Sequence, residues 1–160
     1  MISALSPNSA RFDVFEPGDK TALVGMDVPE MERLAVEQLC ELGYKVHTGL
    51  SADDLLFKMR AHPYDVVLFA ENYGATTLAT NPLLAETLTT QTVQRHRQLV
   101  VLAGASLRTA DEAQAFQCSA DVVVSLADLR NLRPVIRRAV LRMQEFYGRY
   151  LDAITAADVI

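Results

Sequence analysis

Two acidic residues, Asp27 and Glu71, stand directly after short apolar runs of the sequence and are the first candidates for chemistry. The runs cover residues 21–26 and 65–70, and their composition is typical of buried strands. If both are strands of one parallel sheet, their carboxyl ends meet at one edge, where such sheets bind ligands. Two carboxylates there could hold a cation that prefers oxygen ligands. The simpler interpretation, which we favour, makes Asp27 a helix cap and leaves Glu71 in solvent.

A turn of small residues, Gly104-Ala105-Ser106, follows another apolar run at residues 99–102. Backbone N–H groups in such a turn can receive a phosphate. The sequence around it matches neither G-x-G-x-x-G nor a P-loop, so it gives no specific signal for a nucleotide. We call Asp27, Glu71, Gly104 and Ser106 the rim site.

Other chemistries find less support in the sequence. His47, His62 and His96 are scattered over separate segments and pair with no Ser or Cys in a recognisable triad. Cys40 and Cys118 have no C-x-x-C spacing, so we predict no zinc site and interpret both as buried thiols. We therefore predict no catalytic residue, no metal, no cofactor and no enzymatic activity.

Composition limits the class of protein. The chain has 160 residues, of which 50% are hydrophobic and 22% charged, which suits one globular domain with a core. The formal net charge of −5 gives no reason to expect nucleic-acid binding. No apolar run approaches the roughly 20 residues of a membrane span, and no signal peptide precedes the first run. We expect a cytoplasmic protein.

The elements that must position these residues alternate along the chain. Short apolar runs predict five strands, at residues 21–26, 45–48, 65–70, 99–102 and 122–124. Amphipathic segments between them predict helices, with Ser51 as one N-cap, Gly43 ending the first helix, and helices at residues 82–95 and 109–116. The pattern T-x-x-E at Thr109 predicts a capping box. Alternation of this kind indicates an α/β fold with one parallel sheet covered on both faces.

Three local sequences resemble the receiver domain of bacterial two-component response regulators. They are Asp27 after strand one, Asp65-Val66-Val67-Leu68-Phe69 in strand three, and Ser119-Ala120-Asp121 before strand five. The resemblance covers about residues 20–145. It implies a doubly wound, flavodoxin-like sheet of order 2-1-3-4-5 in a domain over residues 19–160. Residues 1–18 are mixed and aperiodic, and we interpret them as an N-terminal tail.

The same resemblance implies that the phosphorylation chemistry of receivers is missing. Receivers use two acids after strand one, an Asp ending strand three, a Thr or Ser ending strand four and a Lys ending strand five. The matching positions here are Met26 with Asp27, then Ala70, Ala103 and Leu126, and the aromatic switch residue of strand five matches Val123. The resemblance therefore predicts a degenerate receiver with no phosphoacceptor, since Ala70 stands at that position.

The features left for function are surfaces. The long loop at residues 71–81 is interpreted either as a wall of a pocket or partner surface or as a mobile insertion. The last helix starts after Asn131, with Pro134 in its first turn, and runs past the usual receiver end. Its arginines suit a solvated face or contacts with acidic partners. Its apolar stripe predicts homodimerisation through Met143, Phe146, Tyr147, Tyr150, Leu151 and Ile154.

Our functional hypothesis is thus a phosphorylation-independent signalling or protein-interaction module that forms dimers. The alternative is a small-ligand or nucleotide sensor that uses the rim site.

Overall fold

The computed structural model describes residues 15–89 and 97–158, and five parallel strands form its centre. Their order in the sheet is β2-β1-β3-β4-β5, as the resemblance predicted. The strands are β1 (Thr21–Gly25), β2 (Lys45–Thr48), β3 (Val66–Ala70), β4 (Leu99–Gly104) and β5 (Val122–Ser125). Every residue of β1, β3 and β4 is buried, because helices cover both faces of a parallel sheet.

The helices supply the outer layers of the fold. They are α1 (Pro29–Glu41), α2 (Ala52–Ala61), α3 (Pro82–Thr89), α4 (Glu112–Gln117) and the long α5 (Leu132–Asp158). A 3-10 helix, Leu126–Asn131, joins β5 to α5, and the sequence did not predict it. In α5 the residues nearest the sheet, Leu132 and Ile136, are fully buried.

Short-range signals in the sequence located several helix ends correctly. The Ser51 hydroxyl accepts a hydrogen bond from the Asp54 N–H at 3.1 Å, which confirms the predicted N-cap of α2. Gly43 follows α1 with a φ of +91°, a conformation that glycine adopts without strain. Pro134 is the third residue of α5, so it lies in the first turn as predicted.

Two boundaries differ from the prediction. The capping box at Thr109 is wrong, because α4 begins at Glu112 and its N-cap is Asp111, whose carboxylate accepts the Gln114 N–H at 3.0 Å. The Thr109 hydroxyl instead donates a hydrogen bond to the Asp128 carboxylate at 2.5 Å. Strand β4 also extends two residues beyond the predicted run, so Gly104 is the last residue of a strand rather than the first of a turn.

Parts of the prediction fall on residues that are not described. They are residues 1–14 of the predicted tail and residues 90–95 of the predicted helix that begins at Pro82. Of the cysteines, Cys118 is buried and Cys40 is half-buried. Within the described ranges, no helix combines the length and apolar character needed to cross a membrane.

Candidate functional site

The rim site lies where β1, β3 and β4 end, and two alanines face each other at its centre. Ala70 and Ala103 are register partners on the adjacent strands β3 and β4, and both are buried. These are the positions where a receiver would carry its phosphoacceptor and its hydroxyl. Two methyl groups at this point offer neither a nucleophile nor a hydrogen-bond donor.

Glu71 continues from β3 and bends over the end of β4. Its N–H donates to the Ala103 carbonyl at 2.9 Å, and its Oε1 accepts a hydrogen bond from the Ser106 hydroxyl at 3.3 Å. The carboxylate lies so close to Gly104 that a Cβ built at that position would overlap it. The structure therefore brings Glu71, Gly104 and Ser106 together, and the close approach explains why residue 104 is a glycine.

Asp27 has a different partner. Both of its carboxylate oxygens accept the N–H of Gly74, at 3.0 and 3.2 Å. The N-cap of α1 is Val28, which makes no side-chain capping bond, so our interpretation of Asp27 as a helix cap is wrong. Asp27 instead connects the end of β1 to the loop after β3, and Gly74 provides the positive φ of 70° that this turn needs.

The loop at residues 71–81 is anchored at several points along its length. Tyr73 is buried, and its N–H donates to the Ala70 carbonyl at 3.2 Å. The Thr76 hydroxyl donates to the Tyr73 carbonyl at 2.6 Å. Burial raises the pKa of Tyr73, and the charge of Asp27 acts in the same direction. Tyr73 thus remains a neutral phenol that fills space beside the rim site, and the interpretation of this loop as a mobile insertion is not favoured.

Asn81 closes the loop and starts α3. Its side-chain amide donates to the carbonyls of Ala70 at 2.9 Å and Glu71 at 3.0 Å. Its side-chain carbonyl accepts the N–H groups of Leu83 at 2.9 Å and Leu84 at 3.4 Å. One buried side chain therefore caps α3 and fixes the end of β3. The sequence prediction missed this role, although an Asn directly before Pro82 is a recognisable cap signal.

The positive charge of a receiver site is also missing from the rim site. The chain has three lysines, and each binds elsewhere. Lys20 donates to the Leu42 carbonyl at 2.8 Å, Lys45 pairs with Asp19 at 2.9 Å, and Lys58 donates to the Thr48 carbonyl at 2.6 Å. Leu126, at the position of the receiver lysine, starts the 3-10 helix.

Among the described residues, no group of three His, Cys, Asp or Glu is placed to hold a metal ion.

Two histidines contact the same phenylalanine ring at the end of the sheet opposite the rim site. The sequence did not predict this cluster. The Phe15 ring stacks on His47 at 4.4 Å between centroids and lies 4.6 Å from the ring of His62. His47 Nδ1 is 2.7 Å from the Tyr64 hydroxyl, and His62 Nε2 is 3.0 Å from the Thr21 hydroxyl. The third histidine, His96, lies outside the described residues. This cluster packs the start of the described chain onto β2 and α2.

The apolar side chains of the last helix become more exposed to solvent along its length. Ile136 is fully buried, Met143 and Tyr147 are half-buried, and Phe146 is 63% exposed. The Tyr147 hydroxyl accepts a hydrogen bond from Arg97 at 2.9 Å. The side chains of the other predicted contact residues, Tyr150, Leu151 and Ile154, lie outside the described part of the helix.

A groove of about 580 Å³ separates α5 from α4. Phe146 and Met143 line one side of this groove, and Phe116, which is 86% exposed, lines the other. Two arginines of α5 pair with acids of the same chain, Arg133 with Glu41 and Arg142 with Glu112.

No protein-family model and no curated protein matches this sequence. Solved structures do match. A CheY-like receiver domain protein from Methanospirillum hungatei is 15% identical, aligns with 80% of this chain and 98% of that chain, and has a TM-score of 0.62. An orphan response regulator of Helicobacter pylori is 16% identical over 78% of this chain and 99% of that chain, with a TM-score of 0.56.

A DNA-binding response regulator of the LuxR family from Staphylococcus aureus is also similar. It is 16% identical, aligns with 76% of this chain and 98% of that chain, and has a TM-score of 0.55. Strand order, parallel pairing and these similarities agree with one another. The chain therefore has the fold of a response regulator receiver domain.

Proposed function

We propose that this chain is a receiver-like signalling module that acts through protein contacts and without phosphorylation. The observation that carries the proposal is the pair of buried methyl groups, Ala70 and Ala103, at the point where phosphoryl transfer would need a carboxylate and a hydroxyl. Phosphoryl transfer also needs groups that neutralise the developing negative charge. Leu126 supplies none.

The nearest carboxylate does not replace the missing one. Glu71 lies one residue beyond the phosphoacceptor position, bends over Gly104 and binds Ser106. Asp27, the only acid retained after β1, is bound to the N–H of Gly74. Glu71 Oε1, the Ser106 hydroxyl and both carboxylate oxygens of Asp27 thus bind groups of the chain itself, so this geometry does not favour the alternative of a ligand sensor at the rim site.

A labelling experiment tests the first part of the proposal. The full chain is incubated with acetyl phosphate and Mg²⁺ and analysed by intact-mass spectrometry, beside a receiver domain that has the complete Asp, Thr and Lys set. We expect a phosphoryl adduct on the complete receiver and none on this chain. An adduct on this chain that disappears in the variant Glu71→Gln would overturn the proposal and identify the acceptor.

The proposed contact surface is the exposed part of α5 together with α4, and the proposed partner is a second copy of the chain. Phe116 and Phe146 flank the groove between the two helices, and aromatic side chains are enriched in interfaces. Arg149 and Glu145 also line the groove. Because a two-fold contact presents the same surface twice, the basic and acidic side chains can pair reciprocally.

Sedimentation of matched variants tests the contact surface. Phe146→Glu places a charge in the proposed interface, whereas Leu88→Glu places one on α3 at a site of nearly equal exposure, 61% against 63%. We expect Phe146→Glu to weaken the dimer about tenfold or more, since a buried charge without a partner is costly, and Leu88→Glu to have no effect. A wild-type chain that sediments as a monomer at every accessible concentration would refute the dimer.

A further inference from the structure

A cavity of about 530 Å³ lies at the amino-terminal edge of the sheet, opposite the rim site. It is formed between the residues leading into β1, Tyr44 just before β2, and the middle of α5. Its size is within the range of small-molecule sites. The lining residues are Gly18, Asp19, Lys20, Tyr44, Asp65, Arg97, Val140, Met143, Gln144 and Tyr147.

Two cations line this cavity, and each is held against an aromatic ring. The Lys20 ammonium lies 4.9 Å from the centre of the Tyr44 ring and donates to the Leu42 carbonyl at 2.8 Å. The Arg97 guanidinium lies 5.1 Å from the centre of the Tyr147 ring, and its Nε donates to the Tyr147 hydroxyl at 2.9 Å. Cation–π contacts and hydrogen bonds fix both groups in position while leaving further N–H donors on each.

The two acids of the cavity do not cancel this positive charge. Asp19 pairs with Lys45 at 2.9 Å and accepts the N–H of Glu16 at 2.7 Å. These contacts hold the pKa of Asp19 below its usual value. The Asp65 carboxylate accepts the N–H of Thr21 at 2.8 Å. Lys45 does not line the cavity, but its pairing neutralises Asp19. Among the described residues, two lining cations, Lys20 and Arg97, are then opposed by one carboxylate without such a pair, that of Asp65.

The rest of the lining is apolar. Val140 and Met143 of α5 are half-buried and contribute aliphatic surface. The rings of Tyr44 and Tyr147 contribute aromatic surface on either side. Burial, with a smaller contribution from Asp65, raises the pKa of Tyr44, so this side chain is a neutral phenol that does not repel an anion. A few polar groups around an apolar cavity are the usual composition of a small-molecule site.

We propose that this cavity binds a small organic anion. A carboxylate or phosphate group would lie between Lys20 and Arg97, where charge-assisted hydrogen bonds are available. The aromatic or aliphatic body of the ligand would pack against Tyr44, Val140 and Met143. The site is separate from the rim site. It shares Met143 with the groove of the proposed dimer surface, but its two cations, Lys20 and Arg97, do not line that groove.

NMR titration of the full chain tests the site with phenyl phosphate and benzoate as anionic probes. Phenol, which lacks the charge, and inorganic phosphate, which lacks the organic body, are the comparison probes. We expect at least one anionic probe to give saturable shifts of the backbone amides of Lys20, Tyr44 and Val140, and both comparison probes to bind about tenfold more weakly or worse.

Matched variants separate this site from general charge attraction. Lys20→Met removes the ammonium that we propose binds the anion. Lys58→Met is the control, since it removes an ammonium that likewise donates to a backbone carbonyl, that of Thr48. We expect Lys20→Met to weaken binding about tenfold or more and Lys58→Met to leave it unchanged. Arg97→Gln gives an independent loss if Lys20→Met perturbs folding. Equal losses in the two lysine variants, or no saturable shift with either anionic probe, would overturn the proposal.

Discussion

Replacement of Asn81 by alanine tests whether the loop after β3 is held as the structure describes. The side chain is only 2% exposed and makes four hydrogen bonds. It donates to the carbonyls of Ala70 and Glu71 and accepts the N–H groups of Leu83 and Leu84. Alanine removes all four bonds and leaves backbone groups that water reaches poorly.

The expected cost follows from these contacts. Loss of an N-cap typically costs about 1 kcal/mol, and a buried carbonyl left without its donor costs about 1–3 kcal/mol. The Ala70 carbonyl keeps the N–H of Tyr73, so we count the full penalty only for Glu71. Asn81→Ala should therefore lower the free energy of unfolding by about 2–4 kcal/mol, measured by urea denaturation at neutral pH.

Two further variants make the test specific. Asn72→Ala changes an exposed asparagine of the same loop and should shift stability by no more than about 0.5 kcal/mol. Asn81→Asp keeps the cap acceptor but loses the amide donor, so it should remain clearly destabilising. If Asn81→Ala costs less than about 1 kcal/mol, this side chain does not anchor the loop and our account of the rim site is incorrect.

Three other measurements probe separate parts of the fold. In a Glu71→Ala background, Gly104→Ala should stabilise the protein by about 0.4–1 kcal/mol. In the wild type, where the Glu71 carboxylate is present, the effect of the same change should be less favourable by about 1 kcal/mol. Equal effects in the two backgrounds would contradict the close approach. Burial lowers the pKa of His62, so its contribution to stability should be complete above about pH 6.5 and decrease as the pH falls below that value. Urea denaturation of His62→Gln between about pH 7.5 and about pH 5.5 should show a flatter profile than the wild type, and an unchanged profile would exclude this contribution. Ile136→Ala should cost about 2–5 kcal/mol and the exposed control Leu141→Ala about 0.5 kcal/mol or less, and comparable losses would contradict the burial of this helix face.

The sequence predicted those parts of the fold that depend on neighbouring residues. Apolar runs located the five strands, and Ser51 and Gly43 marked helix ends, because caps and turns act over three or four residues. Thr109 shows where this reasoning fails. Its capping pattern is correct locally, but its hydroxyl binds Asp128, 19 residues away. Asp111 is the cap instead, and Asp111 with Gln114 forms a second capping pattern of the same kind. The choice between the two patterns depends on the long-range contact with Asp128, which local sequence does not reveal.

The rim site was predicted in position but not in contacts. The resemblance placed Ala70 and Ala103 at strand ends, and the register of β3 and β4 puts them side by side. The bond from Asp27 to Gly74 spans 47 residues and depends on how the loop folds, which periodicity does not reveal. The cluster of Phe15 with His47 and His62 likewise requires the strand order, because these residues come from separate segments.

If the chain acts without phosphorylation, as we propose, the contacts of Asp27 bear on whether a single substitution could introduce that chemistry. An aspartate at position 70 would restore a nucleophile, but the retained acid already binds the N–H of Gly74 and helps to hold the loop. A cation bound by Asp27 would compete with that hydrogen bond and loosen an anchor of the loop. Leu126 would still provide no ammonium. Because Asp27 has a structural role in this loop, phosphoryl transfer at position 70 would require changes at several positions at once. Our proposal that the chain acts without phosphorylation therefore rests on the contacts of the loop as well as on the residues at positions 70, 103 and 126.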